Sequence, residues 1–258
     1  MIHDPFDFVD EGLLQKLRPV FQFLYSQYFR VTVTGEKNIP QKGKVLLVAN
    51  HSGMLPYDGA MVHLAVFNTS GGKRRVRFLV DDFVFHLPFL GDFIQRIGGV
   101  RASHENATTL LCAGECVAIF PEGVKGVGKL YDDRYQLDQF GHGGFVKLAM
   151  RTKTTIIPTT IVGAEEIHPI LYKEELLAQP LGIPYIPITP TFPWLGPLGL
   201  IPLPSKWHIH FGKPISFTKE KKSDAENEKL VEKKSEDIRK TIQTTIHRLL
   251  KKRKSIWY

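Results

Sequence analysis

Val45-Leu46-Leu47-Val48-Ala49-Asn50-His51-Ser52-Gly53-Met54-Leu55-Pro56-Tyr57-Asp58 opens with five apolar residues and then turns polar. A short apolar run without alternation suits a strand buried on both faces, as in a parallel sheet covered by helices. The polar part begins with Asn50-His51, and a carboxylate, Asp58, stands seven positions after the histidine. Imidazole titrates near neutrality, so a histidine at the lip of a sheet can take a proton from a hydroxyl. A nearby carboxylate fixes its tautomer and raises its basicity. The same residues also allow a surface histidine, with Asp58 capping a helix that begins near residue 59.

Working outward, strand and helix patterns alternate. Strands are predicted over 30–35, 44–49, 76–80, 116–120, 155–162 and 207–211, and helices over 59–66, 105–113 and 144–151. That order predicts an α/β fold: a single domain with a mostly buried mixed sheet flanked by helices. An amphipathic helix over 12–29 precedes it, with Leu13, Leu14, Leu17, Val20, Phe21, Leu24, Tyr25 and Tyr28 stepping by three and four. The parts are then 1–29, an α/β body over 30–215, and a charged helical segment over 216–258.

A chain of 258 residues can bury a substantial core, and 43% hydrophobic with 23% charged residues is ordinary for a globular protein. The net charge of +8 favours an anionic partner, whether nucleic acid, anionic lipid or a phosphorylated ligand. The basic excess is concentrated in the tail and no nucleic-acid motif accompanies it, which argues against nucleic acid. Cys112 and Cys116, four apart, are expected on one face of a helix as two buried thiols. No second pair exists to complete a zinc site, so no metal is expected. The first 30 residues are acidic (Asp4, Asp7, Asp10, Glu11) and lack the basic start and apolar core of a signal peptide, so the body is expected in the cytoplasm.

Residues 176–205 carry no charge and hold eight prolines. Proline forbids a regular membrane-spanning helix there. Two readings remain, a loop covering the core or an apolar rim touching a membrane, and Phe192, Trp194, Leu195, Leu198, Leu200 and Ile201 favour the rim. From Lys219 onward the chain has 13 basic and 7 acidic residues and ends in Lys251-Lys252-Arg253-Lys254 before Trp257 and Tyr258. This segment reads either as a solvated helix or as a contact for an anionic bilayer surface.

A second informative stretch is Ala118-Ile119-Phe120-Pro121-Glu122-Gly123-Val124-Lys125-Gly126. A buried strand ends in proline, Gly123 allows a tight turn, and the turn presents Glu122 and Lys125 at the strand's C-terminal edge, where α/β sheets bind ligands. Taken together, the His51–Asp58 and Phe120–Lys125 stretches resemble the two signature blocks of the glycerolipid acyltransferases, the lysophosphatidate acyltransferase-like superfamily. The 71-residue spacing from His51 to Glu122 fits, as do Ile97-Gly98-Gly99-Val100 and Ile156-Ile157-Pro158 in the positions of further blocks. The resemblance covers residues 30–215. Here the box is His-x6-Asp where the family has His-x4-Asp, and its Ser-Gly-x-Leu-Pro-x-Asp form is similar to the branch of monoacylglycerol and diacylglycerol acyltransferases. Lys125 stands where the family carries an arginine and lacks its bidentate fork, while Arg101 lies near a second family arginine but out of register; both features point away from a phosphate-bearing acceptor.

The resemblance implies an O-acyltransferase. His51, oriented by Asp58, would activate an acceptor hydroxyl against the thioester of acyl-CoA or acyl-carrier protein. Phe120, Pro121, Glu122, Gly123 and Lys125 would bind substrate, with Glu122, Gly123 and Lys125 positioning the acceptor. It implies no metal, no cofactor beyond the acyl co-substrate, a lipid acceptor, and association with the cytoplasmic side of a membrane. The alternative is a non-catalytic membrane-peripheral lipid-binding protein on the same fold. Other polar residues carry less: His142 lacks the Gly-x-Ser-x-Gly elbow of a serine hydrolase, and Ser52 is no nucleophile merely by adjoining His51. His208 and His210 lack further ligands, and Glu165 and Glu166 suit either the site or a helix N-terminus.

Overall fold

The structure is a computed structural model that describes residues 9–52, 55–86, 89–182 and 185–257. Gly53 and Met54 of the opening stretch, Asp4 and Asp7, Pro184 and Tyr258 lie outside the described residues, as do the side chains of Phe83, Val124 and Leu181. The elements in chain order are α1 (Glu11–Phe23), β1 (Thr32–Thr34), β2 (Val45–Ala49), α2 (Tyr57–Thr69), β3 (Val76–Val80), α3 (Leu90–Arg96), β4 (Gly99–Arg101), α4 (His104–Cys112), β5 (Cys116–Ile119), α5 (Gly123–Val127), α6 (Gly144–Thr152), β6 (Thr155–Val162), β7 (Tyr172–Glu174), β8 (Ile186–Ile188), β9 (His208–Phe211) and α7 (Glu228–Lys252).

Seven strands form one sheet in the order β1-β9-β6-β2-β5-β3-β4, and β7 pairs with β8 in a separate hairpin. Strands β6, β2, β5, β3 and β4 run parallel, whereas β9 is antiparallel to β6 and carries β1 parallel to itself. This is the mixed α/β sheet that the alternation predicts. β2 lies between β5 and β6, and all five of its residues are buried. Its alternate side chains enter two cores, as a pleated strand requires. Leu46 and Val48 meet α4, α6 and α7, while Val45, Leu47 and Ala49 meet α2, Phe29 and Trp207.

Several expectations change. The predicted helix over 12–29 is α1 followed by a π-helical turn at Leu24–Tyr28, and α1 buries no side chain fully. The two cysteines do not share a helix: Cys112 ends α4 and is exposed, whereas Cys116 starts β5 and is buried. The Gly114 turn between them (φ 86) separates helix from strand, and burial pushes the Cys116 thiol up to about 11. The charged segment becomes helical only at Glu228, after a 3-10 turn at Lys222–Glu226. α7 buries Val231, Ile238, Ile242, Ile246 and Leu249 in the same core as β6 and α6, so its polar composition conceals a narrow apolar seam. The uncharged segment forms β8, 3-10 turns and irregular backbone. Among the described residues, no helix is long and apolar enough to cross a membrane.

Candidate active site

The chain leaves β2 under tight control. Asn50 is fully buried, and its amide donates to the Ile161 carbonyl (2.9 Å) and accepts from the Ile161 N–H (2.8 Å). The end of β2 is thereby spliced to β6, and the next residue is His51. Its backbone N–H donates to Glu122 Oε1 at 3.1 Å, so the segment after β5 grips it from the other side.

The two residues between His51 and Asp58 that exceed the family spacing do not separate the pair. His51 Nδ1 lies 2.6 Å from Asp58 Oδ2. Asp58 is wholly buried in the first turn of α2, where the helix dipole favours a carboxylate. It also accepts from the Ser52 N–H (3.1 Å) and the Gly59 N–H (2.7 Å). A carboxylate only accepts, so Nδ1 carries the proton and the Ser52 N–H belongs to Asp58. Nε2 then holds the lone pair, and it has no hydrogen bond among the described residues. The imidazole stacks on Phe120 at 4.4 Å between centroids and is 18% exposed. Such a group can accept a proton at Nε2 while Asp58 compensates the charge formed.

Glu122 has a different place from the one its motif suggests. Its side chain is fully buried. Oε1 receives the His51 N–H, and Oε2 receives the Asp138 N–H (3.0 Å) and lies 2.9 Å from Lys129 Nζ. Buried and held by these partners, the Glu122 carboxylate braces His51 and the 129–138 loop and presents no exposed oxygen. Gly123 makes the turn that follows (φ 55), its N–H returning to the Phe120 carbonyl at 3.0 Å. Lys125 is exposed and makes no ion pair among the described residues; the cation beside Glu122 is Lys129. Gly126 packs against the brace. A Cβ there would stand 2.7 Å from the Glu122 Cβ and 2.9 Å from the His51 Cβ.

Behind Glu122 the polar network continues. Glu165 Oε2 accepts from the Tyr135 N–H (2.9 Å), and Oε1 lies 3.6 Å from Lys129 Nζ. Burial pushes the Glu165 carboxyl up to about 7, against the pull of Lys129. Glu166 pairs with Arg253 at 2.6 Å, and that guanidinium also donates to the carbonyls of Lys206 and Ile256. Arg253, read from sequence as part of a basic tail, is thus an internal tie. Lys129, Tyr135 and Arg253 carry no local signature, and only the fold brings them together around Glu165 and Glu166. His208 Nε2 and His210 Nδ1 both meet Thr34 Oγ1, at 2.8 and 2.9 Å. His142 is exposed in a turn. Among the described residues, no group of three or more His, Cys, Asp or Glu side chains could hold a metal ion.

Comparison with known proteins gives the chain a family and a fold relative. A family model described as Acyltransferase matches residues 30–162. An uncharacterized protein of Mycobacterium leprae (strain TN) is 48% identical over 242 residues, covering 94% of this chain and 66% of the relative. The chain therefore spans about two thirds of that relative's length. A Gallus gallus protein named "DGAT1/2-independent enzyme synthesizing storage lipids" is 26% identical over 71% of this chain and 51% of its own. The crystal structure of the 1-acyl-sn-glycerophosphate acyltransferase PlsC from Thermotoga maritima superposes with a TM-score of 0.55, covering 97% of this chain and 87% of that one at 19% identity, a likeness of fold.

Proposed function

The chain belongs to the acyltransferase family, and from that premise we propose that it moves a fatty acyl group from an acyl thioester to a hydroxyl of a glycerolipid acceptor, with His51 as the general base. The observation that carries this is the 2.6 Å contact between His51 Nδ1 and the buried Asp58, with Nε2 left free. Nε2 takes the hydroxyl proton as the oxygen attacks the thioester carbonyl. The tetrahedral intermediate collapses with loss of the thiolate, which takes the proton back from the imidazolium. Asp58 stabilises the imidazolium between these steps. The donor is acyl-CoA or acyl-carrier protein. The storage-lipid name of the Gallus gallus relative supports a glycerolipid acceptor.

Greasy substrates need an interface. Val20 and Phe23 on α1, and Leu176, Leu177, Trp194, Leu195, Leu198 and Ile201 beyond β7, are all more than half exposed. Tyr28 Oη donates to the Pro202 carbonyl at 2.6 Å, joining the end of the N-terminal helical segment to the apolar segment. These contacts support a membrane-peripheral protein; the cytoplasmic side is what the family resemblance implies. Acyl transfer to a panel of glycerolipid acceptors, measured for wild type and His51→Ala, tests the reading. The expected loss is about 10²- to 10⁴-fold at unchanged melting temperature, the range general base catalysis supplies. A folded His51→Ala protein of full activity would overturn it.

A further inference from the structure

A recess lies at the sheet edge where β5 and β6 end, on either side of the strand that carries His51. It is lined by Gly126, Lys129, Arg134, Glu165, His168 and Ile170. Gly126 also packs within contact distance of His51 and Glu122, so the recess adjoins the base.

Three buried atoms of its lining lack a hydrogen bond among the described residues: the acceptors His168 Nδ1 and Glu165 Oε1, and the donor Lys129 Nζ. His168 and Glu165 are each more than nine-tenths buried. The His168 tautomer follows from its other nitrogen: Nε2 lies 3.0 Å from the Leu200 carbonyl, which can only accept, so Nε2 bears the proton and Nδ1 a lone pair. Burial lowers the His168 pKa, which keeps the ring neutral. Glu165 Oε2 is taken by the Tyr135 N–H, and Oε1 lies 3.6 Å from Lys129, beyond hydrogen-bond reach. A buried polar atom without a partner costs free energy comparable to a lost hydrogen bond, so the recess calls for a group that both donates and accepts.

We propose that the recess takes a second, free hydroxyl of the acceptor, one that is not itself acylated. This rests on the acyl-transfer reading above and deepens it. A hydroxyl donates to His168 Nδ1 or Glu165 Oε1, and its oxygen can accept from Lys129. A phosphate brings acceptors and negative charge but little donor capacity to a wall that presents the His168 lone pair beside Glu165, and the Lys129 charge is answered by Glu122 at 2.9 Å. The acceptor class is therefore a glycerol head with two free hydroxyls, one for His51 and one for the recess, as in a monoacylglycerol. A monohydric alcohol leaves the recess unfilled.

The test is equilibrium binding to the full chain carrying His51→Ala, where no turnover confuses the reading, with 1-monooleoylglycerol, oleyl alcohol and 1-oleoylglycerol 3-phosphate as probes. The expected order places monooleoylglycerol ahead of both others. Adding His168→Gln, which keeps a donor for Leu200 while moving the acceptor, should weaken monooleoylglycerol about tenfold, the worth of one hydrogen bond. Oleyl alcohol binding should not change. Glu165→Gln serves as a second variant with the same expectation if the first does not fold, and melting curves identify that case. An unchanged ratio of the two affinities, which a recess holding only ordered water would give, overturns the proposal, as does tighter binding of the phosphate probe. Acyl transfer that persists in His51→Ala while the ratio shifts would instead refute the base and leave the hydroxyl subsite standing.

Discussion

The lip of the sheet around His51 and the uncharged segment beyond β7 adjoin each other and are built in opposite ways. At the lip, Asn50, Asp58 and Glu122 are buried and each side chain is fixed by two or three hydrogen bonds or ion pairs. In the uncharged segment, Trp194 and Leu198 are 72% and 67% exposed. Geometry is over-determined in the first region, so losing one atom matters there. In the second, only the total apolar surface counts, and single residues are interchangeable.

Asp58→Asn is the sharpest way to break that contrast. The amide can present an N–H to Nδ1, which turns the imidazole to the tautomer whose Nε2 carries the proton. Activity should fall about 10²- to 10³-fold with little change in substrate affinity, read from kcat and KM separately. Next comes Glu165. Its folded-state pKa of about 7 exceeds the ordinary 4.5, so between those values the folded protein holds more protons than the unfolded one. Stability from this group therefore falls as pH rises through that window, by up to about 3 kcal/mol, and is level on either side. Melting curves against pH should show a flatter course over that interval for Glu165→Gln than for wild type.

Gly126→Ala tests the packing between Glu122 and His51. The new methyl would meet two Cβ atoms that cannot swing away. The expected cost is about 1–3 kcal/mol in stability with reduced activity, since the brace must shift. The smallest catalytic effect is expected in the other region. Trp194→Ser combined with Leu198→Ser should leave the melting temperature and turnover of a short-chain, water-soluble acceptor unchanged. Binding to anionic vesicles should weaken at least tenfold, because each side chain gives up about 1.5–3 kcal/mol of apolar transfer if it is buried in the bilayer. Equal loss from a single substitution in both regions would erase the distinction.

The same contrast explains what could be read from the chain directly. Strand β2, the turn after β5 and the His51–Asp58 pair are local, written within a dozen residues, and their patterns announce them. Lys129 could not be found this way: it meets Glu122 because α5 returns the chain over the strand end, and α5 is only five residues long. The three residues of β4 are too few for periodicity, and β8 contains Pro187, which masks a strand. Arg253 was hidden by its neighbours, since a run of four basic residues looks uniformly solvated although one of them is largely covered and paired with Glu166. Composition reports the average environment of a segment, and the exceptions are the residues that tie it down.

The position of β2 has a consequence for how the chain is made. Its partners on both sides come much later: Val45 aligns with Cys116 in β5 and with Thr155 in β6. About 70 residues must follow β2 before either edge can be covered, which at 5–20 residues per second takes roughly 4 to 14 seconds. Over that interval five consecutive apolar residues leave the ribosome with both backbone edges open, and later pairings of long range close slowly. The strand that seats the base is thus also where a nascent chain is most exposed to pairing with the wrong neighbour.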